Sequence, residues 1–526
     1  MPPYDHWVCM DGPMPELPPD TEWPGLSAAL EEAFDACADT WLNLAKGLAE
    51  EPTSIYAHAP ACAANVSDFG LMLAWTRLID EWSQNDTTVL VICKDPWMFR
   101  HLESRPGVAA TTPPGLWCRE IKSALRGYAA RMKAALGVMQ AALALRKTSA
   151  RAETGGTSLL VYGHPKSDAR GQDGYFGNLM EKAGDLQRIL HVDCPPGRAS
   201  ELAADGRTLG LHAWGSPVHA LSLAFKKWRP RHKSLTLETR WLVRRAAALE
   251  GASGQGAMIA WQIHCQNRWL AATRPHVVAW PWENHAWERA FVRTARRLGT
   301  RTVGYQHSVI GRQMLNYSPR SNVDGFASIP DQILCTGAPT MQRLADWSVP
   351  ADRMAIGGAF RFPARSDVTH DPEAPVFVAL PFDGITAAEM VAVVKATQGP
   401  RFLVKDHPMT PFEFDDADLV RRTKISLADQ VAVSAVVYAA TTVGLEAVIL
   451  GLPTLRFRPS NRIALDILPA GISVPAAGRA GFAAVLAALK PPEAMEPEQI
   501  FAKVDLDLWT HLLAKEDVAR DERSEK

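Results

Sequence analysis

Short β-branched runs recur along this chain, separated by stretches whose apolar positions return every three or four residues. From Thr157 the order is strand SLLVYGH, loop DARGQDGYFG, helix NLMEKAGD, strand LQRILHV and a strand around LGLHAW. A helical region over 236–272 then leads to strand HVVAW at 276–280, helix AWERAFVRTARRLG and strand TRTVGYQHS. Strands separated by helices predict parallel, doubly wound sheets, because parallel neighbours need a crossover between them. After a loop-like stretch from Gln313 to Asp331 the pattern restarts with QILCTG, MAIGG, PVFVALP, FLVKDHP, AVVYAA and PTLRF. Upstream, TSIYAH, FGLMLAWTRLIDEW and TTVLVIC (87–93) read as strand, helix and strand. The expected fold is therefore α/β: a helical cap at 1–50, then two Rossmann-like domains over 51–325 and 326–526, facing across a cleft. The charged stretch 515–526 reads as a frayed end.

Length supports this division, since 526 residues exceed what one core holds. A net charge of −1 lacks the basic excess of a nucleic-acid binder. The eight cysteines are scattered with no CxxC pair, so they read as reduced thiols and not as a zinc site or a disulfide framework. The opening residues lack the pattern of a secretory signal. The most apolar run, 134–145, is too short to span a bilayer and is flanked by Arg131, Lys133, Arg146 and Lys147. A cytoplasmic protein is expected. Within the long helix read over 114–150, Arg119, Lys122, Arg126, Arg131 and Lys133 stand against one acid, Glu120. That run reads either as a solvated basic face on a packed helix or as a peripheral contact with anionic lipid at the inner membrane. The basic, proline-broken loop 226–233 shares the second reading.

Candidate chemistry concentrates between Arg401 and Pro453. Two apolar runs end abruptly in polar groups, the first in Lys405, Asp406, His407 and Pro408, the second in Thr441, Thr442 and Gly444, with Glu446 in the helix that follows. Strand ends and the helix starts beyond them are where open α/β sheets bind anions. Pro408 biases His407 towards extended backbone, so the imidazole stands off the strand end beside Lys405. Thr442 reads as an N-cap, Gly444 as a place for close backbone approach, and Glu446 as an acid favoured by the first helical turn. Neither a Walker A nor a GxGxxG pattern is present. Asp416-Ala-Asp418 spells DxD but opens a stretch read as helical, ADLVRR, so it is taken as solvated and no metal site is expected. In the first domain Asp173 lies in a glycine-flanked loop after a strand. Glu283 and Asn284 follow one strand end, and Gln306, His307 and Ser308 another.

His407-Pro408 followed by Thr441-Thr442 and Glu446-Ala447 resembles the donor site of bacterial sialyl- and Kdo-transferases of the GT-B class. The segment PWENHAWERAFVRTARRLGTRTVGYQHS resembles surface-carbohydrate biosynthesis proteins, and together the likeness covers roughly residues 155–460. The resemblance implies a transferase moving an acidic, sialic-acid-like or Kdo-like sugar from a CMP donor to a glycan or lipid-linked glycan acceptor. Its single leaving phosphate, met by His407, Lys405 and the N–H groups after Thr442, is expected to need no divalent metal. It implies donor contacts from Lys405, His407, Pro408, Thr441, Thr442, Gly444 and Glu446. The catalytic carboxylate would be Asp173 or Glu283, and Asn284, Gln306, His307 and Ser308 would meet the substrate; Gly174 departs from the pattern beside Asp173. No further cofactor is expected. The alternatives are a GT-B enzyme with another nucleotide donor (a UDP-sugar transferase, an epimerase or a polyol-phosphate transferase) or a non-catalytic glycan- or nucleotide-binding protein.

Overall fold

The computed structural model describes every residue except 1–2, 12–16, 85–86, 106–107, 232–234, 362–366, 409, 494 and 515–526. The charged end at 515–526 and part of the 226–233 loop thus lie outside the described residues. Strands β1 (His6–Cys9) and β2 (Val89–Ile92) form a separate two-stranded parallel sheet. Next come β3 (Thr157–Val161), β4 (Leu186–Leu190), β5 (Thr208–Gly210), β6 (Val277–Pro281), β7 (Arg301–Gln306), β8 (Gln332–Cys335) and β9 (Met354–Ile356). They form one parallel sheet in the order β5-β4-β3-β6-β7-β8-β9. The remaining strands are β10 (Thr369–His370), β11 (Val376–Ala379), β12 (Phe402–Lys405), β13 (Val420–Thr423), β14 (Ala432–Val433), β15 (Val436–Tyr438), β16 (Thr454–Phe457) and β17 (Ala476–Ala477). Six of these make a second parallel sheet, β13-β12-β11-β15-β16-β17, while β10 pairs with β14.

The central strands of both sheets are covered on both faces, which is why β6 and β11 read as unbroken apolar runs. Every residue of β3 and β6 is buried. In β11, Val376 and Val378 join one core while Phe377 and Ala379 join the core on the opposite face. Each sheet also reverses its winding once, between β3 and β6 in the first and between β11 and β15 in the second. Two doubly wound, Rossmann-like domains are the result, the GT-B arrangement, and each reversal opens a crevice beyond the strand ends.

The structure corrects several expectations. Strands β8 and β9 extend the first sheet beside β7, so the first domain runs through Ile356 and does not end at 325. The loop over 313–331 looked like a boundary because of its prolines and glycines. It is instead fixed to its own domain by Arg293–Asp324 and Arg296–Asp331 ion pairs at 2.6 and 2.8 Å. The helical cap expected at 1–50 is not a separate layer. Its helices, Leu26–Ala36 and Ala38–Ala49, share a core with Phe69–Ser83 that includes Leu30, Phe34, Trp41, Trp75 and Leu78. Residues 51–58 form no strand, since Ser54–Tyr56 makes one 3-10 turn, and β2 stays outside the seven-stranded sheet. Residues 417–423 are not helical either, because β13 occupies Val420–Thr423.

Two ties hold these parts together. Arg456 on β16 pairs at 2.6 Å with Glu31 of the N-terminal layer, both buried, and Arg458 reaches the same carboxylate at 3.0 Å. The last described helix, Leu506–Leu513, returns to the first sheet. Its Trp509 is buried against Phe176, Tyr305 and Phe360, and Nε1 donates to the Gly357 carbonyl at 2.9 Å. Thr157 on β3 donates to the Leu513 carbonyl at 2.8 Å. Trp509→Ala should cost about 3–5 kcal/mol, the usual loss for a large buried aromatic. Urea denaturation checks this; an unchanged midpoint would show that the returning helix does not brace the sheet.

Candidate functional site

The crevice of the first sheet is lined by residues following β3, β6 and β7. After β6 the chain turns through Asn284, whose φ of +58° is left-handed and rare outside glycine. The turn is secured by the Asn284 amide, which donates to the Asn316 carbonyl at 2.8 Å and to Asn322 Oδ1 at 3.1 Å. Buried Glu288 accepts from the backbone N–H groups of Glu283 (2.9 Å) and His285 (2.6 Å) and from Trp280 Nε1 (2.8 Å). With its backbone so held, Glu283 faces His285, Oε2 to Nε2 at 2.9 Å, and lies 4.0 Å from His307 Nε2 at the end of β7. The Glu283 side chain remains 40% exposed, unlike its neighbours.

Around this carboxylate stand His58, with its ring 6.0 Å from that of His285, and Tyr175, edge-on to His307 at 5.1 Å and to His164 at 5.5 Å. The Arg361 guanidinium lies 5.5 Å over the Tyr175 ring. Burial pushes the Glu283 carboxyl up, but the His285 hydrogen bond and the charges of His285 and His307 outweigh it and hold the group at about 2. Burial lowers His285 too, yet its bond to Glu283 and the charges of Glu283 and Glu288 leave it above the usual imidazole value. His307 goes the other way, pushed down to about 4 mainly by burial, with Glu283 pulling it up and Arg361 down. Two imidazoles sharing one carboxylate are thus driven apart, one towards proton donor and one towards proton acceptor near neutrality.

The second sheet presents Glu446 and His407. Burial raises the Glu446 carboxyl, and the charges of Lys166, beyond β3, and Arg361, just beyond β9, pull it down. Those two cations also act on His164, so both are electrostatically shared by the two banks. His407 is half-buried and lowered by burial, with its ring edge-on to exposed Phe382 at 5.5 Å. Ala440, one residue before Thr441, has a φ of +49°, a strained conformation for a residue with a Cβ. The Thr441 hydroxyl is buried without a partner among the described residues.

Other sequence-predicted residues take different places. The ends of β12 and β15 are not side by side, because β11 lies between them. Lys405 is not turned to a cradle: its Nζ donates to the Lys424 carbonyl at 2.7 Å. Pro408 sits in an exposed turn. Thr442 precedes the short helix Val443–Ile449 but makes no side-chain cap bond. Gly444 serves packing, since a Cβ there would meet the Tyr438 ring at 2.4 Å. Asp173 is closed off from the crevice. Its Oδ1 accepts from the N–H groups of Tyr175 (2.8 Å) and Phe176 (3.2 Å), and its Oδ2 accepts from Ser167 Oγ (3.2 Å) and lies 3.8 Å from buried Arg188. Such a carboxylate positions the loop that carries Tyr175. Gly174 is small because His164 fills the space beside it, with ring atoms 2.3 and 2.4 Å from where a Cβ would stand. Gln306 is buried and donates weakly to Tyr317 Oη at 3.3 Å and Ser308 Oγ at 3.5 Å. Asn284 is a turn residue, and Ser308 is half-buried beside His307. Asp416 accepts from the Arg422 N–H at 3.1 Å in an exposed loop, and among the described residues no three His, Cys, Asp or Glu side chains are grouped to hold a metal.

Sequence reading missed His58, His164, Lys166, Tyr175, His285 and Arg361. His164 and His285 carried a signal, each lying just beyond a strand end; Arg361 carried none.

No family model matches this chain, and no curated protein does. Among solved structures, a UDP-N-acetylglucosamine 2-epimerase aligns over 69% of this chain and 98% of its own, at 10% identity and a TM-score of 0.34. The UDP-GlcNAc 2-epimerase of Neisseria meningitidis bound to UDP-GlcNAc aligns over 57% and 82%, at 10% identity and a TM-score of 0.28. The glycosyltransferase SsfS6 of Streptomyces sp. SF2575 aligns over 57% and 81%, at 11% identity and a TM-score of 0.32. Overlaps this loose leave the site to be read from its own residues.

Two outcomes are expected. Asp173→Asn should lower stability by about 1.5–3 kcal/mol, the worth of a hydrogen bond to a charged group; an unchanged melting temperature would return Asp173 to the list of free carboxylates. The second concerns acid. His58 and His191 are pushed by burial to about 3, and His212 and His307 to about 4. Each takes up a proton more readily unfolded than folded, so stability is present above pH 6.5 and lost as pH falls through 4. His285, and Glu250 and Glu288, both raised by burial to about 7, oppose, because their shares are lost as pH rises, but the four imidazoles outnumber them. Urea midpoints should therefore fall between pH 6.5 and 4; a flat profile would contradict the burial of these imidazoles.

Proposed function

We propose that this chain is a nucleotide-sugar-dependent glycosyltransferase, with the nucleotide on the second domain and the reacting hydroxyl at the Glu283–His285–His307 cluster. The observation that carries the reading is the pair of cations shared by the two banks. The charges of Lys166 and Arg361 act on both Glu446 and His164, and the Arg361 guanidinium lies 5.5 Å over the Tyr175 ring. A sugar nucleotide lying between Glu446 and Glu283 would set its phosphates beside those cations, where charge-assisted hydrogen bonds offset the charge of the leaving group. The Glu446 carboxyl would accept from ribose hydroxyls, as in the resembling transferases. His307, neutral near pH 7, would take the proton of the acceptor hydroxyl, and ionised Glu283 would stabilise the imidazolium that forms.

The donor follows from the count of cations. A single phosphate, as in a CMP-sugar, needs little more than His407 and one lysine. Lys405 is committed elsewhere, and Lys166 beyond β3 and Arg361 just beyond β9 supply two positive charges. Two cations plus His407 suit the greater charge of a diphosphate, so a nucleoside-diphosphate sugar is favoured over the CMP donor implied by resemblance.

Nucleotide release from UDP-, GDP-, dTDP- and CMP-sugars, with and without added glycan acceptor, tests this. Turnover of a diphosphate sugar is expected, with Glu283→Gln reducing it by about 10²–10⁴ while leaving nucleotide affinity unchanged. Arg361→Ala should weaken nucleoside-diphosphate binding by about 1.5–3 kcal/mol. Turnover of CMP-sugars alone would overturn the donor assignment, and full activity of Glu283→Gln would overturn the assigned base pair.

A further inference from the structure

Helix Trp117–Leu145 is packed against the first domain along one side only. Its buried residues, Gly127, Arg131, Ala135, Val138, Ala142 and Leu145, make that side, and Arg131 fastens it by donating to the carbonyls of Ala224 (2.9 Å) and Gly251 (2.6 Å). Arg131 therefore belongs to the packing and not to a basic face. The outer side is not polar, as a solvated helix would be. Trp117, Ile121, Leu125 and Tyr128 follow one another at spacings of four, four and three, the helical repeat, and Leu136 and Leu143 continue the same face. All six are exposed, Trp117 at 75% and Leu125 at 67%.

The stripe continues onto neighbouring elements. Phe225 stands 6.0 Å from Tyr128, ring to ring, and is 63% exposed; Val218 and Leu221 on helix Pro217–Ser222 are exposed as well. Large apolar side chains collected on one surface mark an interaction site. Charge identifies the partner. Arg119, Lys122, Arg126 and Lys133 lie along the exposed flank of the stripe, and Lys226 and Arg229 border Phe225. The helix's single acid, Glu120, is already paired with Arg244 at 2.6 Å. Beside it a groove of about 380 Å³ is lined by Lys227, Trp228 and Arg229.

We infer that this face is a docking surface for an anionic phospholipid bilayer, on which the helix lies parallel to the membrane plane. The aromatic and leucine side chains would enter the headgroup–acyl boundary while the flanking cations meet lipid phosphates, the arrangement of interfacial amphipathic helices. No helix among the described residues is long and apolar enough to cross a membrane, so contact of this kind is lateral. The inference does not rest on the proposed activity.

The test is flotation of the full chain with vesicles of phosphatidylcholine alone or with about a third phosphatidylglycerol, at low and high salt. Binding to the anionic vesicles is expected, falling severalfold as salt shortens the reach of the charges to a few ångströms. The triple variant Trp117→Ser, Leu125→Ser, Phe225→Ser should lose it by tenfold or more, and Lys122→Glu with Arg126→Glu should abolish the preference for anionic lipid. All five positions are exposed, and circular dichroism confirms the fold of each variant. Absence of flotation by the wild-type chain would overturn the inference. So would a wild-type dimer that does not float and becomes monomeric in the triple variant, since a second copy would then be the occupant.

Discussion

Each sheet reverses its winding once, and the place where it does so governs the rest of the molecule. A strand order that runs outward from β3 through β4 and β5, then resumes on the other side at β6, forces the two adjacent crossovers onto opposite faces of the sheet. The loops beyond β3 and β6 consequently diverge and leave an opening between them. Glu283 and His285 stand on one side of that opening and His164 and Lys166 on the other. The same reversal between β11 and β15 leaves Phe382 and Thr441 at the second opening. Neither crevice needs a special motif; both follow from topology.

What the crevice contains is set by desolvation working against pairing. Glu283 is held far below the carboxylate range because two imidazoles outweigh its burial, whereas Glu288 is pushed to about 7 because burial wins there. These acids lie five residues apart on one turn. Their roles separate because Glu288 accepts three hydrogen bonds from fixed donors inside the fold, and Glu283 keeps part of its surface open. One acid builds the loop and the other faces outward from it.

The ties between parts of the molecule are of two kinds. The Arg456–Glu31 pair is a buried charge contact that would be costly to break on one side only, which makes it a device for fixing register between the N-terminal layer and the second sheet. The Trp509 contact is apolar and broad, closing the first sheet with a helix from the far end of the chain. Against this tight packing, the outer stripe of helix Trp117–Leu145 stands out because none of the described residues covers it.

The sequence by itself determined the class of fold. Runs such as VVAWP and VFVA, apolar at every position, are buried on both faces of a parallel sheet and can hardly be anything else once helices are seen between them. It also singled out Glu283 and His307, because strand ends are legible from where apolar runs stop. Tertiary structure alone decided which polar residues at those ends face the crevice. Asp173 and Lys405 looked as available as Glu283, yet one is closed in by backbone N–H groups near Arg188 and the other is drawn to the Lys424 carbonyl. Strand order was equally hidden: nothing local in QILC or MAI says that they pair beside β7. Side-chain period records which faces are buried, but pairing partners and the contacts of a polar group are set by residues tens to hundreds of positions away, as Arg361 beside Tyr175 shows.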